Sequence, residues 1–493
     1  MGHAPRFFIL VFILAAFLLR IPLLQERYFD PDEFQHLHSA RQLYNGEIPY
    51  RDYFDHHTPF MHFILAGLYP IAGENITVLF AARALMLLFT ASILFLTFMA
   101  TKKLYGADAG LFAALILSYT LMFLEKTLEI RPDLGAATFW LASIYFMANG
   151  IREKSSWRWY LFSGLSMGIA IMFSQKTLFG LPGIFLALAY LFCHRRGRIE
   201  WKQNIIVFPV FIAGLAIPVI LTCLFFLAQD GLRQFIQCNF LMNVQWKMKL
   251  SPLKYLKQLA GQNPLLLIMG VAGLLVNISN MRRRADVEKG LFVPIFCTVS
   301  VVAGLFIIPA PQRQYYLLFL PLLAMYFAYI IIKCIESAAF TFIFKKPVYA
   351  VTLLAIILIA HPLYLVVTRH PQKNHRQLAD IRYIMAATKP SEAVLDGFSG
   401  YGFLRPHAYY YYFLHKEMRA MLSEKELSDD IIKSAAGQNT KVVIYDRHLR
   451  ALPLKVRQYI EANYAPGAIP SRGQKSAHQL HRFPRILFKK KKG

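Results

Sequence analysis

The chain has 493 residues, of which 56% are hydrophobic and only 17% are charged, and its mean hydropathy is +0.40. A soluble protein carries about 25% charged residues, so this composition excludes an ordinary soluble protein and indicates a membrane protein. The net charge of +26 would suggest a nucleic-acid partner in a soluble protein. Here the basic residues gather in alternate short loops, so no nucleic acid is predicted as a partner.

Apolar stretches of membrane-spanning length recur up to Thr368. They predict a mainly α, polytopic fold with about eleven transmembrane helices. The first is interpreted as an uncleaved helix, because no clear small-x-small cleavage site precedes Gln25. The predicted spans are 6–24, 78–100, 109–124, 134–150, 160–173, 178–192, 205–228, 264–280, 291–309, 315–332 and 348–368.

The basic loops fix the predicted orientation of these helices. By the positive-inside rule they are cytoplasmic, which leaves the first acidic loop, the EIRPD segment, residues 229–263 and everything after 368 on the outer face. The basic loops lie at 102–103, 152–158, 195–202, 282–284 and 345–346.

The first outer loop, residues 25–77, contains the stretch YFDPDEFQHLHSARQLYNGEIPYRDYFDHHTP. Apolar residues at helical spacing from Phe34 to Tyr44 predict an interfacial helix that ends at Asn45–Gly46. The segment PFMHFILAGLYPIAG predicts a second one. Asp32 and Glu33 then lie at a helix start, where a carboxylate is favoured and can accept a proton from an attacking hydroxyl. The alternative is that both acids only cap the helix.

Further charged residues are predicted at the outer ends of later helices. The segment EKTLEIRPD contains Glu129, Arg131 and Asp133, and Lys176 and Arg313 follow at two other outer ends. Ionisable groups at membrane depth are costly and indicate function. Arg131, Lys176 and Arg313 together could hold a lipid phosphate. The alternative for each cation is ordinary snorkelling to the interface.

Residues 369–493 are polar and basic, and they predict a small α/β domain outside the membrane. Strands are expected in AVLDGF and KVVIYD, and helices at 417–435 and 454–462. The five cysteines form no metal or disulfide pattern. The histidines of the first loop lack a clear third ligand set, so no metal is predicted, and a divalent cation is kept as the less favoured alternative. These histidines are His36, His38, His56, His57 and His62.

The first loop resembles that of the GT-C membrane glycosyltransferases, and within them the protein O-mannosyltransferase and lipid A aminoarabinose transferase superfamily. The RPD start of the fourth helix and the segment RQYYLLFLPLLAMY are similar as well. The resemblance covers most of residues 1–368, which form the predicted catalytic domain, and is weak for 369–493. It implies inverting transfer of a sugar from a polyprenyl-phosphate donor, with no metal–nucleotide motif required.

The resemblance also implies roles for individual residues. Asp32 matches the catalytic aspartate, Glu33 its acidic neighbour, and Asp133 the acid at the start of the fourth helix. Related bacterial loops often read D-N-K-P-P, whereas this one reads DHHTP from residue 55. His57 therefore replaces a lysine that would face the donor phosphate, and either His57 or the other cations carry that charge. Asp30, Glu129 and Tyr316 are predicted to contact the substrate.

Two other function classes remain open at this point. A secondary transporter predicts inverted halves and polar groups at mid-membrane, whereas the charges here collect at the outer ends. A non-catalytic assembly protein predicts no need for the acid pair. For the enzyme, the expected partners are a polyprenyl-phosphate sugar, a lipid, glycan or protein acceptor, and membrane lipids. Its expected location is the bacterial inner membrane, with the active site on the periplasmic face.

Overall fold

The computed structural model divides the chain into two compact units, each built from separate stretches. The first unit comprises Met1–Gln25, Ala84–Leu224 and Lys249–His370, and the second comprises Glu26–Arg83, Phe225–Met248 and Pro371–Gly493. The predicted domain boundary at 368/369 lies outside the described residues. The structure describes residues 3–153, 156–194, 200–246, 249–281, 290–337, 352–353, 356–360, 364, 373–467 and 484–490.

The first unit is helical. Its helices pack as neighbouring pairs, such as Pro132–Glu153 with Trp157–Phe173 and Leu181–His194 with Phe292–Ile307. Short 3₁₀ turns at Gln175–Gly180 and Arg313–Leu318 each lead into a longer helix. In chain order the helices belonging wholly or mostly to this unit are His3–Leu18, Arg20–Glu26, Thr77–Tyr105, Ala107–Ser118, Leu121–Thr127, Pro132–Glu153, Trp157–Phe173, Leu181–His194, Glu200–Ala228, Leu253–Gln262, Pro264–Asn280, Phe292–Ile307 and Leu320–Ile335.

Five helices among the described residues are long and apolar enough to cross a membrane, or seven if each of two bent pairs is one span. One bent pair, Ala107–Ser118 with Leu121–Thr127, turns by 69° inside the predicted span 109–124. The prediction of a mainly helical, multi-pass membrane protein is confirmed. The count of eleven stays a prediction, and the last predicted span, 348–368, lies largely outside the described residues.

Small residues let two helices of the first unit approach closely. A Cβ added to Gly164 or Gly168 would lie 2.0 Å from the carbonyl oxygen of Phe211 or 2.4 Å from that of Leu215. Such contacts leave no room for a side chain. Because lipid tails are as apolar as leucine, close backbone packing is a main source of helix association in membranes. The spacing Gly164-x-x-x-Gly168 therefore holds Trp157–Phe173 against Glu200–Ala228.

The second unit contains the first outer loop, whose helix Pro31–Tyr44 was predicted from periodicity. The helix ends at Tyr44, with Asn45 as its C-cap, and Gly46 follows with a φ of +89°, as the Asn–Gly stop signal predicts. The second predicted helix is present as Phe60–Ala66 and Tyr69–Ala72. The chain from 225 to 246 adds Leu232–Ile236, a π turn at Gln237–Leu241, and Met242–Val244.

A four-stranded sheet forms the core of residues 373–467 and 484–490, and its strands lie in the order β1 (Val394–Asp396), β2 (Val442–Tyr445), β4 (Arg485–Lys489) and β3 (Tyr464–Pro466). Strands β1 (Val394–Asp396) and β2 (Val442–Tyr445) are parallel and correspond to the predicted AVLDGF and KVVIYD strands. Strand β4 (Arg485–Lys489) is antiparallel to β2 and to β3 (Tyr464–Pro466). The accompanying helices are His375–Ala387, Lys416–Arg419, Glu424–Leu427, Asp429–Gly437, Arg447–Arg450 and Leu454–Asn463.

Two carboxylates lie together where β1 and β2 end. Asp396 is fully buried, and Asp446 packs so closely that a Cβ on Gly397 would meet its Oδ1 at 2.1 Å. Burial, and secondly the charge of Asp446, raise the pKa of Asp396 to about 7, although Ser399 and Gly402 donate hydrogen bonds to it. The protonated form of Asp396 is thus favoured in the folded protein.

The raised pKa of Asp396 predicts that the folded protein becomes less stable as pH rises. The folded protein holds the Asp396 proton up to about pH 7, whereas the unfolded chain releases it near pH 4. The free energy of unfolding therefore falls between about pH 4 and pH 7, by roughly 4 kcal/mol at most. Asp396→Asn should remove that decline when thermal unfolding midpoints are compared at several pH values. An unchanged pH profile in the variant would contradict the assignment.

Candidate functional site

The start of helix Pro31–Tyr44 is held by a capping box. Asp30 is the N-cap, and its Oδ1 accepts a hydrogen bond from the backbone N–H of Asp32 at 3.1 Å. Glu33 returns the contact, since its Oε1 accepts from the N–H of Asp30 at 2.9 Å. These bonds satisfy N–H groups that a helix start leaves without partners. They place the half-buried Asp32 side chain in the first turn, where the helix dipole favours its charge.

Arg83 fixes the position of Glu33. Its Nε and Nη2 each lie 2.8 Å from one carboxylate oxygen of Glu33, and both side chains are fully buried. Arg83 also donates to the carbonyl oxygens of Arg27 and Tyr28 and lies 3.7 Å from the ring centre of Phe29. Sequence reasoning missed Arg83, although an arginine inside the apolar stretch 78–100 was a signal that could have found it.

The histidine-rich segment is organised around Asp55, which is fully buried. Its Oδ2 accepts from Ser39 Oγ at 2.6 Å, and its Oδ1 accepts from the backbone N–H of His57 at 2.9 Å. The ring Nδ1 of His57 lies 3.0 Å from the same Oδ1, and His62 Nε2 lies 3.6 Å from Oδ2. His36 Nδ1 is 3.2 Å from His62 Nε2. The fold thus brings the imidazoles of His36, His57 and His62 together with the Asp55 carboxylate.

Electrostatics keep this carboxylate charged. Burial acts to raise the pKa of Asp55, but the adjacent His62, His57 and His56 lower it well below its usual range. Burial lowers the pKa of His62 in turn, and the charge of Asp55 only partly opposes that shift. The segment therefore presents an ionised carboxylate beside His62, whose burial favours the neutral imidazole.

The rest of the second unit supports this loop. Tyr410 donates from its hydroxyl to the carbonyl of Tyr50 at 2.5 Å, and the amide of Phe54 donates back to the carbonyl of Tyr410 at 3.0 Å. The side chain of Asn243 donates to the carbonyl of His56, and the ring of Trp246 lies 5.7 Å from that of His56. These contacts hold the DHHTP segment in one conformation.

A cavity of about 750 Å³ opens beside the loop helix, within the second unit. Tyrosine side chains form much of its wall, and Glu47, Asp52 and Asp430 bring acidic groups to its lining. A volume of this size is typical of small-molecule sites. Its tyrosines are Tyr53, Tyr409, Tyr410 and Tyr412.

In the first unit, Asp133 and Lys176 form an ion pair. Lys176 Nζ lies 3.2 Å from Asp133 Oδ1 and 4.0 Å from the ring centre of Tyr315. Asp133 sits in the first turn of Pro132–Glu153, as predicted, and Lys176 in the 3₁₀ turn Gln175–Gly180. Tyr315 was not predicted. The hydroxyl of the neighbouring Tyr316, which was predicted to contact substrate, donates to the carbonyl of Pro252, and its side chain is buried.

The other predicted cations of the first unit also meet carboxylates. Glu129 accepts from Lys126 Nζ at 2.7 Å and from Arg131 Nε, and all three side chains are buried. Arg313 Nη1 lies 3.3 Å from Glu125 Oε2 and remains partly exposed. Each of these cations thus lies beside a carboxylate of the same unit. The substrate roles of Glu129, Arg131 and Arg313 stay predictions.

Comparison with known proteins shows which family and which solved structures the chain is similar to. Residues 56–225 match the dolichyl-phosphate-mannose-protein mannosyltransferase family. The structure of ArnT from Cupriavidus metallidurans in the apo state aligns with a TM-score of 0.68 at 14% identity, covering 97% of each chain. The same protein bound to undecaprenyl phosphate aligns with a TM-score of 0.65 at 13% identity, covering 98% of this chain and 97% of that one.

The fold is that of a GT-C glycosyltransferase. The resemblance drawn from the first loop is thus confirmed. Another solved GT-C structure, the oligosaccharyltransferase AglB from Archaeoglobus fulgidus with an inhibitory peptide and a dolichol-phosphate, aligns with a TM-score of 0.57 at 12% identity, over 90% of this chain and 70% of that one. No curated protein sequence matches the chain significantly.

Proposed function

We propose that the protein is an integral-membrane, inverting glycosyltransferase. It moves a hexose or pentose from a polyprenyl-phosphate donor to a lipid, glycan or protein acceptor, on the periplasmic face of a bacterial inner membrane. The match to a dolichyl-phosphate-mannose-dependent family and the GT-C fold support this class. So do the solved relatives, which hold undecaprenyl phosphate and dolichol-phosphate.

The observation that carries the proposal is the different burial of the two acidic residues at the start of the loop helix. Glu33 is fully buried and held by Arg83, whereas Asp32, one residue earlier, is half-buried. Asp32 is the residue of the two that can meet a substrate. We assign Asp32 as the general base and Glu33 as a positioning residue that sets the first turn of the helix.

The chemistry then needs few groups. Asp32 takes the proton of an acceptor hydroxyl while the oxygen of that hydroxyl attacks the anomeric carbon of the donor sugar. The bond between the anomeric carbon and the phosphate oxygen breaks on the opposite face of the sugar. The leaving lipid phosphate carries its charge away as an anion, so it needs cations rather than a proton donor. Lys176, Arg131 and Arg313 are assigned to that anion, and Asp133 orients Lys176.

The test is a transfer assay with purified protein in lipid. Labelled sugar should pass from polyprenyl-phosphate sugars to an acceptor, whereas nucleotide sugars should be inert as donors. Transfer from nucleotide sugars alone would contradict the donor assignment. A solute gradient across vesicles without any transfer would instead support a transporter.

Acceptor choice is proposed to lie in the second unit, because its 750 Å³ cavity combines aromatic walls with acidic side chains. Aromatic faces and carboxylates together suit a polar ligand such as a sugar. Trp246 belongs to the same unit, and its ring lies close to that of His56. Exchanging residues 371–493 for those of a relative should change the preferred acceptor while the preferred donor stays the same. An unchanged acceptor would argue against this placement.

Replacing Lys176 with methionine should weaken binding of the donor phosphate. A charge-assisted hydrogen bond contributes about 1.5–3 kcal/mol, so polyprenyl phosphate should bind roughly 10- to 100-fold more weakly. Lys333→Met is the matched control, since Lys333 also pairs with a carboxylate, Glu336, at 2.8 Å and lies near a tyrosine ring. Equal weakening for polyprenol, which has no phosphate, would point to a structural role instead.

A further inference from the structure

The turn that follows strand β1, residues 397–403, packs against the loop helix within the second unit. A Cβ added to Gly400 would lie 2.4 Å from the Cβ of Phe34. The ring centres of Tyr401 and Phe403 lie 6.0 Å and 5.3 Å from that of Phe34. Phe34 is fully buried and belongs to the loop helix, so this turn bears directly on that helix.

The same turn contacts the chain on both sides of Asp32. The hydroxyl groups of Tyr401 and Tyr28 share a hydrogen bond, which ties the turn to the residues that precede the helix. Further along the helix, the ring Nδ1 of His38 lies 3.3 Å from the carbonyl oxygen of Phe403. A catalytic group is placed precisely only when its surroundings hold it. A movement of this turn would therefore displace Asp32.

Asp396, at the end of β1, holds the turn in its conformation. Its fully buried carboxyl group accepts hydrogen bonds from the backbone N–H and from the Oγ of Ser399, each at 2.8 Å. The backbone N–H of Gly402 lies 3.5 Å from the same group. Because these donors converge on one side chain, the conformation of the turn depends on the charge of that side chain.

The neighbouring Asp446 makes ionisation of Asp396 unfavourable. Asp446 is held in place as a helix cap, since its Oδ1 accepts from the backbone N–H groups of His448 and Leu449, each at 2.9 Å. Two carboxylates that are buried side by side repel each other strongly. An ionised Asp396 would relax by moving away from Asp446, and the 397–403 turn would move with it.

The other titratable groups around the pair do not neutralise Asp396. His407 accepts a hydrogen bond from the backbone N–H of Asp396 at 3.1 Å, but burial lowers the pKa of His407 to about 4, so it is neutral. The remaining groups are two buried tyrosines, a further acid, and two arginines whose charges act on Asp446. They are Tyr401, Tyr412, Asp380 of helix His375–Ala387, Arg447 and Arg450.

We propose that Asp396 is a positioning residue for sugar transfer, whose neutral form lets the 397–403 turn hold the start of the loop helix and whose ionisation displaces Asp32. This inference rests on the proposed function, because it adds a regulation to the base of that reaction. Its consequence is that transfer declines at alkaline pH. With a pKa of about 7, Asp396 is only about 3% neutral at pH 8.5, so transfer should fall by up to roughly 30-fold.

The first test is the pH profile of single-turnover transfer by full-length protein in lipid. Asp396→Asn cannot ionise, so its rate should not decline between about pH 6 and pH 8.5. Ser399→Ala removes a donor that favours the charged carboxylate, so its decline should begin at higher pH than in the wild type. Asp429→Asn is the control, since Asp429 is an exposed acid of the same unit, paired with Lys455, and it should keep the wild-type profile.

Hydrogen exchange gives a second readout that needs no substrate. Above about pH 7.5, exchange of the amides of residues 31–38, corrected for its intrinsic pH dependence, should quicken about threefold or more in the wild type but not in Asp396→Asn. Thermal unfolding midpoints check that both proteins remain folded at each pH.

The two readouts separate this inference from the proposed function. An alkaline decline of transfer that persists in Asp396→Asn would overturn the positioning role, and so would identical exchange in the two proteins. Exchange that depends on Asp396, without transfer at any pH, would support the coupling and overturn the transferase assignment.

Discussion

Asp32→Asn is expected to lower the rate of sugar transfer by about 100- to 10,000-fold, the range over which a general base contributes. The amide has nearly the shape of the carboxylate but cannot take the proton of an acceptor hydroxyl. Donor binding should stay near the wild-type level, because Asp32 acts on the acceptor. The measurement is the single-turnover rate at saturating donor, together with the donor dissociation constant.

A purely structural role for Asp32 predicts a different pattern. As a first-turn residue of Pro31–Tyr44 it would stabilise the helix through the helix dipole, which contributes about 0.3–1 kcal/mol, so stability would change slightly and the transfer rate would not. Glu26→Gln is the control, since Glu26 is a largely exposed acid of the same loop, paired with Lys373. A wild-type transfer rate in Asp32→Asn would remove this residue from the mechanism.

The sequence was a good guide to local structure in the first loop. Apolar spacing, the Asn–Gly stop and the acids at the start of the helix each depend on neighbouring residues, and Pro31–Tyr44 has them as predicted. The strands in AVLDGF and KVVIYD were likewise readable from short apolar runs. These features follow from chain-local physics, in which a helix or strand is chosen by residues within a few positions.

The pairing of distant side chains was not readable in the same way. Glu33 and Arg83 are 50 positions apart, and the residues around either one do not indicate that the other is its partner. Tyr315 faces Lys176 while Tyr316 turns to Pro252, because a 3₁₀ turn sets the direction of adjacent side chains. The histidines looked like two separate pairs in sequence, and only the fold brings His36, His57 and His62 around Asp55.

Arg83→Met is expected to destabilise the protein by about 3–5 kcal/mol. Removing one partner of a buried ion pair leaves the other charge without compensation in an apolar surrounding. Glu33 is fully buried, and Arg83 donates to both of its oxygens. The thermal unfolding midpoint should therefore fall sharply. Transfer should be lost as well, because Glu33 completes the capping box that places Asp32.

Two further variants distinguish the effect of the Glu33–Arg83 ion pair from the effect of side-chain packing. Arg51→Met removes an arginine with equally short contacts to Asp52, at 2.8 Å, but at the exposed surface, so the midpoint should move little. The double variant Glu33→Leu with Arg83→Met removes both charges, and should recover much of the stability that Arg83→Met loses.

The double variant also tests what the ion pair does for catalysis. Hydrophobic replacements can fill the space of a buried pair, but leucine cannot accept the hydrogen bond from the backbone N–H of Asp30. A protein that regains its unfolding midpoint yet stays slow in transfer would mean that Glu33 acts by holding the helix start and with it Asp32. Recovery of both properties together would mean that the pair contributes stability alone, and that the position of Asp32 is fixed by the rest of the loop.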